Sequence, residues 1–217
     1  MPTGAPPRAS YRLAVFDFDG TLVDSLPWLY SVLDEVTERF ELRKLDRDEL
    51  HALRQLDGRS ILDRLGVPLW KVPVVAAHMR TLAARDLDRL QLFEGTHAML
   101  RALRQGGLEL AIVSSNATEN IQRVLGESTT TIGHFECGAS MFGKPRKLKR
   151  VLAKCGVAPS EAIYVGDEVR DAEAAAAVGM AFGAVSWGYN TVDALRRNAP
   201  TELFASMDEL VQKLLAT

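Results

Sequence analysis

Arg12–Ser25 reads RLAVFDFDGTLVDS, and the rest of the chain is organised around it. The apolar run Leu13, Ala14, Val15, Phe16 has the length and composition of a buried strand, and it ends in two aspartates before a Gly-Thr step. Side chains alternate along a strand, so Asp17 and Asp19 are expected on one face. Gly20 lets the backbone turn without steric cost, leaving both carboxylates at the carboxyl end of the strand, where open α/β sheets place their ligands. Aspartate and glycine are also ordinary turn formers, so this stretch needs support from elsewhere in the chain.

The composition narrows the possibilities. A chain of 217 residues, 47% hydrophobic and 25% charged, can bury a substantial core as one domain or as one domain with an insertion. Its formal net charge of -2 sets up no field favouring nucleic acid or an anionic membrane. The opening MPTGAPPRAS lacks the apolar centre of a signal peptide, and no later run is long enough to span a bilayer, so a cytoplasmic protein without membrane or nucleic-acid partners is expected. Residues 1–10 offer nothing to bury and are expected to form a mobile tail. Cys137 and Cys155 read as free thiols, and His51, His78, His97 and His134 show no ligand spacing.

Residues 26–92 read as helical throughout. Pro27 suits a first turn ahead of Leu29, Leu33, Val36 and Phe40 at helical spacing, and Asp46 with Glu49 forms a capping box. Ser60 is placed to cap a short turn ended by Gly66, and a further helical pattern follows Pro73. From Phe93 helices and short apolar strands alternate, the pattern of βαβ units and a parallel sheet. LELAIVS, AIYV and AFGAVSW are the strands, with a short or irregular one near Phe135, and Ser206 with Glu209 caps a last helix. The basic run from Lys144 to Arg150 reads as a solvated helix face. The expected architecture is thus α/β: a doubly wound parallel sheet formed by residues 11–25 and 93–217, with residues 26–92 inserted as a helical cap.

DFDGT (Asp17–Thr21) resembles the first motif of the haloacid dehalogenase superfamily, in the two-aspartate form of its phosphatases. Three further segments match in order: Ser114 closing LELAIVS, Lys144 in FGKP, and Asp167 with Asp171 in GDEVRD after AIYV. The resemblance covers nearly the whole chain after the first ten residues. It implies a Rossmann-like core, a mobile cap, and Mg²⁺-dependent hydrolysis of a small phosphorylated metabolite through an aspartyl-phosphate. Asp17 would be the nucleophile and Asp19 the acid and then the base, positioned by Thr21. Ser114, Ser115, Asn116 and Lys144 would hold the phosphoryl group, and Asp17, Asp19, Asp167 and Asp171 would gather around the metal, Asp171 more remotely. Glu168 and Arg170 sit where smaller residues often occur, which puts the metal loop in question.

Charge supports the same picture, because carboxylates facing one lysine would repel a phosphate unless a hard divalent cation intervened. The presence of Asp19 disfavours a dehalogenase. A sugar phosphomutase is the runner-up, and a non-catalytic binding protein on this fold is less favoured. LFEG and the WGYN segment (Trp187–Asn190) look most like the phosphoglycolate phosphatase branch. Arg59, beside Gly58 at a break between helices, reads either as an exposed arginine at a helix start or as a reader of an anionic substrate group, with Trp70 and Lys71 next as candidates. A monomer or a homodimer is compatible with all of this.

Overall fold

The computed structural model describes residues 11–138 and 143–216, so the tail expected before residue 11 falls outside it. Strand β1 (Leu13–Phe16) is followed by a two-residue strand β2 (Val23–Asp24) and the helices α1 (Leu26–Phe40), α2 (Arg47–Leu53), α3 (Gly58–Leu65) and α4 (Val72–Arg85). A second two-residue strand, β3 (Gln91–Leu92), ends that stretch. Alternation then sets in with α5 (Thr96–Gln105), β4 (Glu109–Val113), α6 (Thr118–Leu125), β5 (His134–Glu136), α7 (Lys144–Cys155) and β6 (Ala162–Gly166). The chain closes with α8 (Val169–Ala176), β7 (Ala181–Val185), α9 (Val192–Arg196), β8 (Glu202–Phe204) and α10 (Met207–Leu215).

Six strands form one parallel sheet in the order β5-β4-β1-β6-β7-β8, which puts β1 between β4 and β6. The period of two along β1 sorts its side chains between two cores. Ala14 and Phe16 pack with α5, α6 and α10, whereas Leu13 and Val15 pack with α7 and α8. Leu110 and Ile112 of β4, and Ile163 and Val165 of β6, fall on the first face, and their neighbours on the second. A sheet covered on both sides explains why these strands read as unbroken apolar runs. Burying one such side chain contributes roughly 1.5–3 kcal/mol, so β1 is anchored from both faces.

The helical stretch differs from expectation at three points. Its last two residues form β3, which pairs antiparallel with β2 through Val23–Leu92 and Asp24–Gln91, so the chain leaves and rejoins the core side by side. Asp57, not Ser60, caps α3: its carboxylate accepts from the backbone N–H groups of Arg59 and Ser60, and Ser60 Oγ donates to it as well. An ionised carboxylate at a helix N-terminus is the stronger acceptor and also meets the helix dipole. Trp70 is 74% exposed and points away from the core, while Lys71 donates to the carbonyl of Phe40. The capping box of Asp46 and Glu49 is present as read. Among the described residues no helix is long and apolar enough to cross a membrane.

Candidate active site

The carboxyl ends of β1, β4 and β6 and the start of α7 bring four distant segments together. Asp17 continues the alternation of Leu13 and Val15 and so points to the side of α7 and α8. There Lys144, the first residue of α7, donates to Asp17 Oδ2 at 2.5 Å and to Asp171. Asp17 Oδ1 accepts from the N–H of Phe18 at 2.8 Å. Alternation does not carry on to Asp19, because the chain turns at once: the N–H groups of Thr21, Leu22 and Val23 all bond to the carbonyl of Phe18. The carboxylate of Asp19 meets the amide of Asn116 instead, at 3.1 and 3.4 Å. One carboxylate therefore has a cation beside it and the other a neutral amide.

Each supporting group is held in turn. Asn116 Oδ1 accepts from the N–H of Ala117 and from Asn120, which fixes the amide so that its Nδ2 faces Asp19. Ser114 Oγ accepts from the N–H of Asn116, and Ser115 lines the cleft beside it. Thr21 does not position Asp19: its Oγ1 donates to Asp167 Oδ1 at 2.7 Å. The second oxygen of Asp167 accepts from the N–H of Tyr189, also at 2.7 Å. Asp171 is engaged on both oxygens, one by Lys144 and the Tyr164 hydroxyl and the other by the N–H of Glu168. Glu168 is the N-cap of α8, and its carboxylate is bound by Arg170, which accounts for the two larger residues in that loop.

Electrostatics follow from burial. Burial pushes the Asp17 carboxyl up to about 7, with Lys144 opposing and Asp171 reinforcing the rise. Asp19 is raised by burial against the hydrogen bonds of Asn116 and Ser25. Asp167 stands well above the usual carboxylate range, through burial and then the neighbouring charges of Glu168, Asp171 and Asp17. For Lys144, burial works to lower the pKa, but Asp17 and Asp171 outweigh it and the net shift is upward. Oxygens of Asp17, Asp167 and Asp171 lie within 4.8 Å of one another, whereas the Asp19 side chain stands outside that group. Such a donor set, rich in buried oxygen and short of positive charge, fits a hard divalent cation.

Two glycines make room for Asp167. A Cβ at Gly188 would fall 2.1 Å from Asp167 Cβ, and one at Gly20, where φ is +75°, would fall 2.3 Å from Asp167 Oδ2. Gly188→Ala must therefore push the carboxylate aside, and a displacement of about 1 Å at a reacting site costs on the order of a hundredfold in rate. The expected result is that fall in kcat/KM. Unchanged kinetics in Gly188→Ala would mean that the placement of Asp167 is not critical.

A sequence profile describing haloacid dehalogenase-like hydrolases matches residues 14–185. The chain belongs to that family. This dehalogenase-like hydrolase is 34% identical over 200 residues to a phosphoglycolate phosphatase of Synechococcus elongatus, covering 91% of this chain and 94% of that protein. It is 29% identical to the tyrosine-protein kinase PtkA of Mycobacterium tuberculosis, over 96% of this chain and 74% of that one. Among solved structures, a putative phosphoglycolate phosphatase from Lactobacillus plantarum superposes with a TM-score of 0.80 at 22% identity, covering 94% and 99% of the two chains, a likeness of fold. The hydrolase is a phosphatase, as the family and the first of these relatives together indicate.

Several residues that frame its site escape a reading of the sequence. Lys147 is buried, donating to the carbonyls of Ser114 and Gly138, and so leaves the solvated face to Arg146, Lys149 and Arg150. Arg54 binds the carbonyls of Gly188 and Tyr189, and Asn190 returns a bond to the carbonyl of Arg54, tying the chain after α2 to the segment that holds Asp167. Arg59 is exposed on α3 and is not among the residues lining the cleft, whereas Arg54, Arg80 and Arg170 are. At the opposite end of the sheet Glu109, His134 and Cys155 approach within 4.8 Å, which their spacing in sequence conceals. The Cys155 thiol there is pushed up to about 12 by burial and by Glu109.

Proposed function

We propose that the phosphatase hydrolyses a small phosphorylated metabolite in two steps, with Asp17 as nucleophile and Asp19 as proton carrier. The observation that carries this reading is the division of partners: Lys144 lies against Asp17, whereas the hydrogen-bond partners of Asp19 are neutral, the amide of Asn116 and the hydroxyl of Ser25. Lys144 opposes the rise that burial imposes on Asp17 and so favours the ionised form that attacks, while a buried carboxyl beside neutral donors can keep a proton. In the first step an oxygen of Asp17 forms a bond to phosphorus as the ester P–O bond breaks. Asp19 gives its proton to the departing alkoxide. In the second step a water attacks the aspartyl-phosphate and passes its proton to Asp19, releasing phosphate and regenerating Asp17.

Lys144 offsets charge on Asp17 and on the transferring group, and Ser114, Ser115 and Asn116 supply donors at the same strand ends. Asp17 and Asp167 would hold Mg²⁺, together with the backbone carbonyl of Asp19. Asp171, whose carboxylate lies against Lys144, would act one step removed by fixing that lysine beside Asp17. When bound, the ion would neutralise charge on the phosphoryl oxygens and orient them for in-line attack. Chelation is expected to abolish turnover and added Mg²⁺ to restore it. Activity that persists in chelator would remove the ion from this reading.

The decisive experiment is Asp19→Asn with p-nitrophenyl phosphate. This ester has a good leaving group, so step one proceeds without an acid while step two lacks its base. A burst of nitrophenol, with acid-stable label on Asp17, is the expected outcome. Steady turnover without a burst would assign the proton transfers elsewhere. Phosphoglycolate, named in the relatives, is the first natural compound to assay.

A further inference from the structure

The cleft over the catalytic residues does not end at the phosphoryl site. A cavity of about 330 Å³ runs from Asp19, Ser115 and Asn116 into the helical stretch. A group leaving the phosphoryl beside Asp17 would be released into it. Beyond that mouth the wall is aliphatic, with each helix contributing: Leu33 from α1, Leu53 from α2, Ile61 from α3, and Val75 and Met79 from α4. Its volume is that of sites which bury most of a drug-sized ligand. A two-carbon acid would fill only a small part of it.

Four of the polar side chains on this wall are already engaged. Arg54 donates to the carbonyls of Gly188 and Tyr189, Arg170 to Glu168, Asn190 to the carbonyls of Arg54 and Leu56, and Asn116 to Asp19. Arg80 Nη1 is buried with no hydrogen-bond partner among the described residues, and further hydroxyls belong to Ser115 at the mouth and Tyr30 on α1. Sugar hydroxyls lying against the aliphatic part of the wall would find no partners there, and each hydroxyl buried unpaired costs a factor of roughly five to a hundred in binding.

We propose that the organic part of the preferred substrate is apolar: the phosphatase acts on a phosphate monoester of an aliphatic or aromatic alcohol, whose body is held by α1 to α4 through hydrophobic burial. This rests on the phosphatase reading above and deepens it by naming the class of leaving group. It departs from both a sugar phosphate and a short acid such as phosphoglycolate.

The test is a series of n-alkyl phosphates from ethyl to octyl, assayed on the wild-type chain with Mg²⁺ beside phosphoglycolate and p-nitrophenyl phosphate. The leaving alcohols of the series have nearly constant acidity, so changes in kcat/KM report on the cavity and not on the chemistry. Each added methylene is expected to raise kcat/KM about fourfold until the cavity is full. Hexyl phosphate then exceeds phosphoglycolate. Ala76→Phe, which fills the cavity from α4, shrinks the ratio between the longest and shortest esters. A flat or falling series, or phosphoglycolate as the best substrate, overturns the inference while leaving the phosphatase reading intact. No turnover of any ester, p-nitrophenyl phosphate included, defeats both.

Discussion

Asp17→Asn lowers kcat by about five orders of magnitude on every phosphate ester, because an amide keeps the shape of the carboxylate but cannot attack phosphorus. The fold is expected to survive. Asparagine can still accept from the N–H of Phe18, and Lys144 keeps Asp171 as its counter-ion. Circular dichroism should therefore overlay on the wild type, and single-turnover assays should show no phosphoenzyme. Residual activity above roughly one per cent would be too large for a missing nucleophile and would reassign the attack.

Lys144→Met has the second largest effect, and it reaches stability as well as rate. The ammonium is 2% exposed and lies between the carboxylates of Asp17 and Asp171, with the Tyr164 ring 5.8 Å away. Removing one partner of a buried ion pair costs about 3–5 kcal/mol, since the remaining charges have neither water nor a counter-ion. In a chain of this length that is a fall in thermal midpoint on the order of 10 °C. The loss should depend on pH in a set direction. Asp17 is already raised to about 7 with Lys144 in place, so the folded state holds a proton more tightly than the unfolded chain. Stability is then lost as pH rises through the folded value, and in chelator the deficit of Lys144→Met should be larger at pH 8 than at pH 5. A variant as stable as the wild type at both values would show that the three side chains are not an electrostatic unit. Activity is expected to fall at least a hundred- to a thousandfold, about the scale for losing one charge-stabilising donor.

What could be read from the sequence divides along physical lines. β1, β4, β6 and β7 were legible because both faces of the sheet are covered and their side chains form unbroken apolar runs. β8 was not, since three residues beginning with Glu202 carry no period, and β2 and β3 each consist of two residues. The motif carboxylates and Lys144 stood out because residue type and strand position coincide there. The residues that orient them did not. Thr21 turning to Asp167, Lys147 folding under Ser114, and Arg54 reaching Gly188 and Tyr189 are contacts made only after distant segments meet. Arg59 drew attention as a cation at a helix break, but a helical turn sets which side a residue faces, and Asp57 starts that turn so that Arg59 meets solvent.

The pairing of β2 with β3 bears on how this architecture can vary. Val23 and Leu92 are cross-strand partners, so from the standpoint of the sheet everything between them is one loop whose ends are already clasped. The entropy of closing a loop grows only with the logarithm of its length, about 0.6 kcal/mol for each doubling. Lengthening, trimming or exchanging the four helices should thus leave the folding of the sheet nearly unaffected, provided the replacement begins and ends at neighbouring points. A lineage carrying this clasp can retool what enters the cleft without renegotiating the scaffold beneath it.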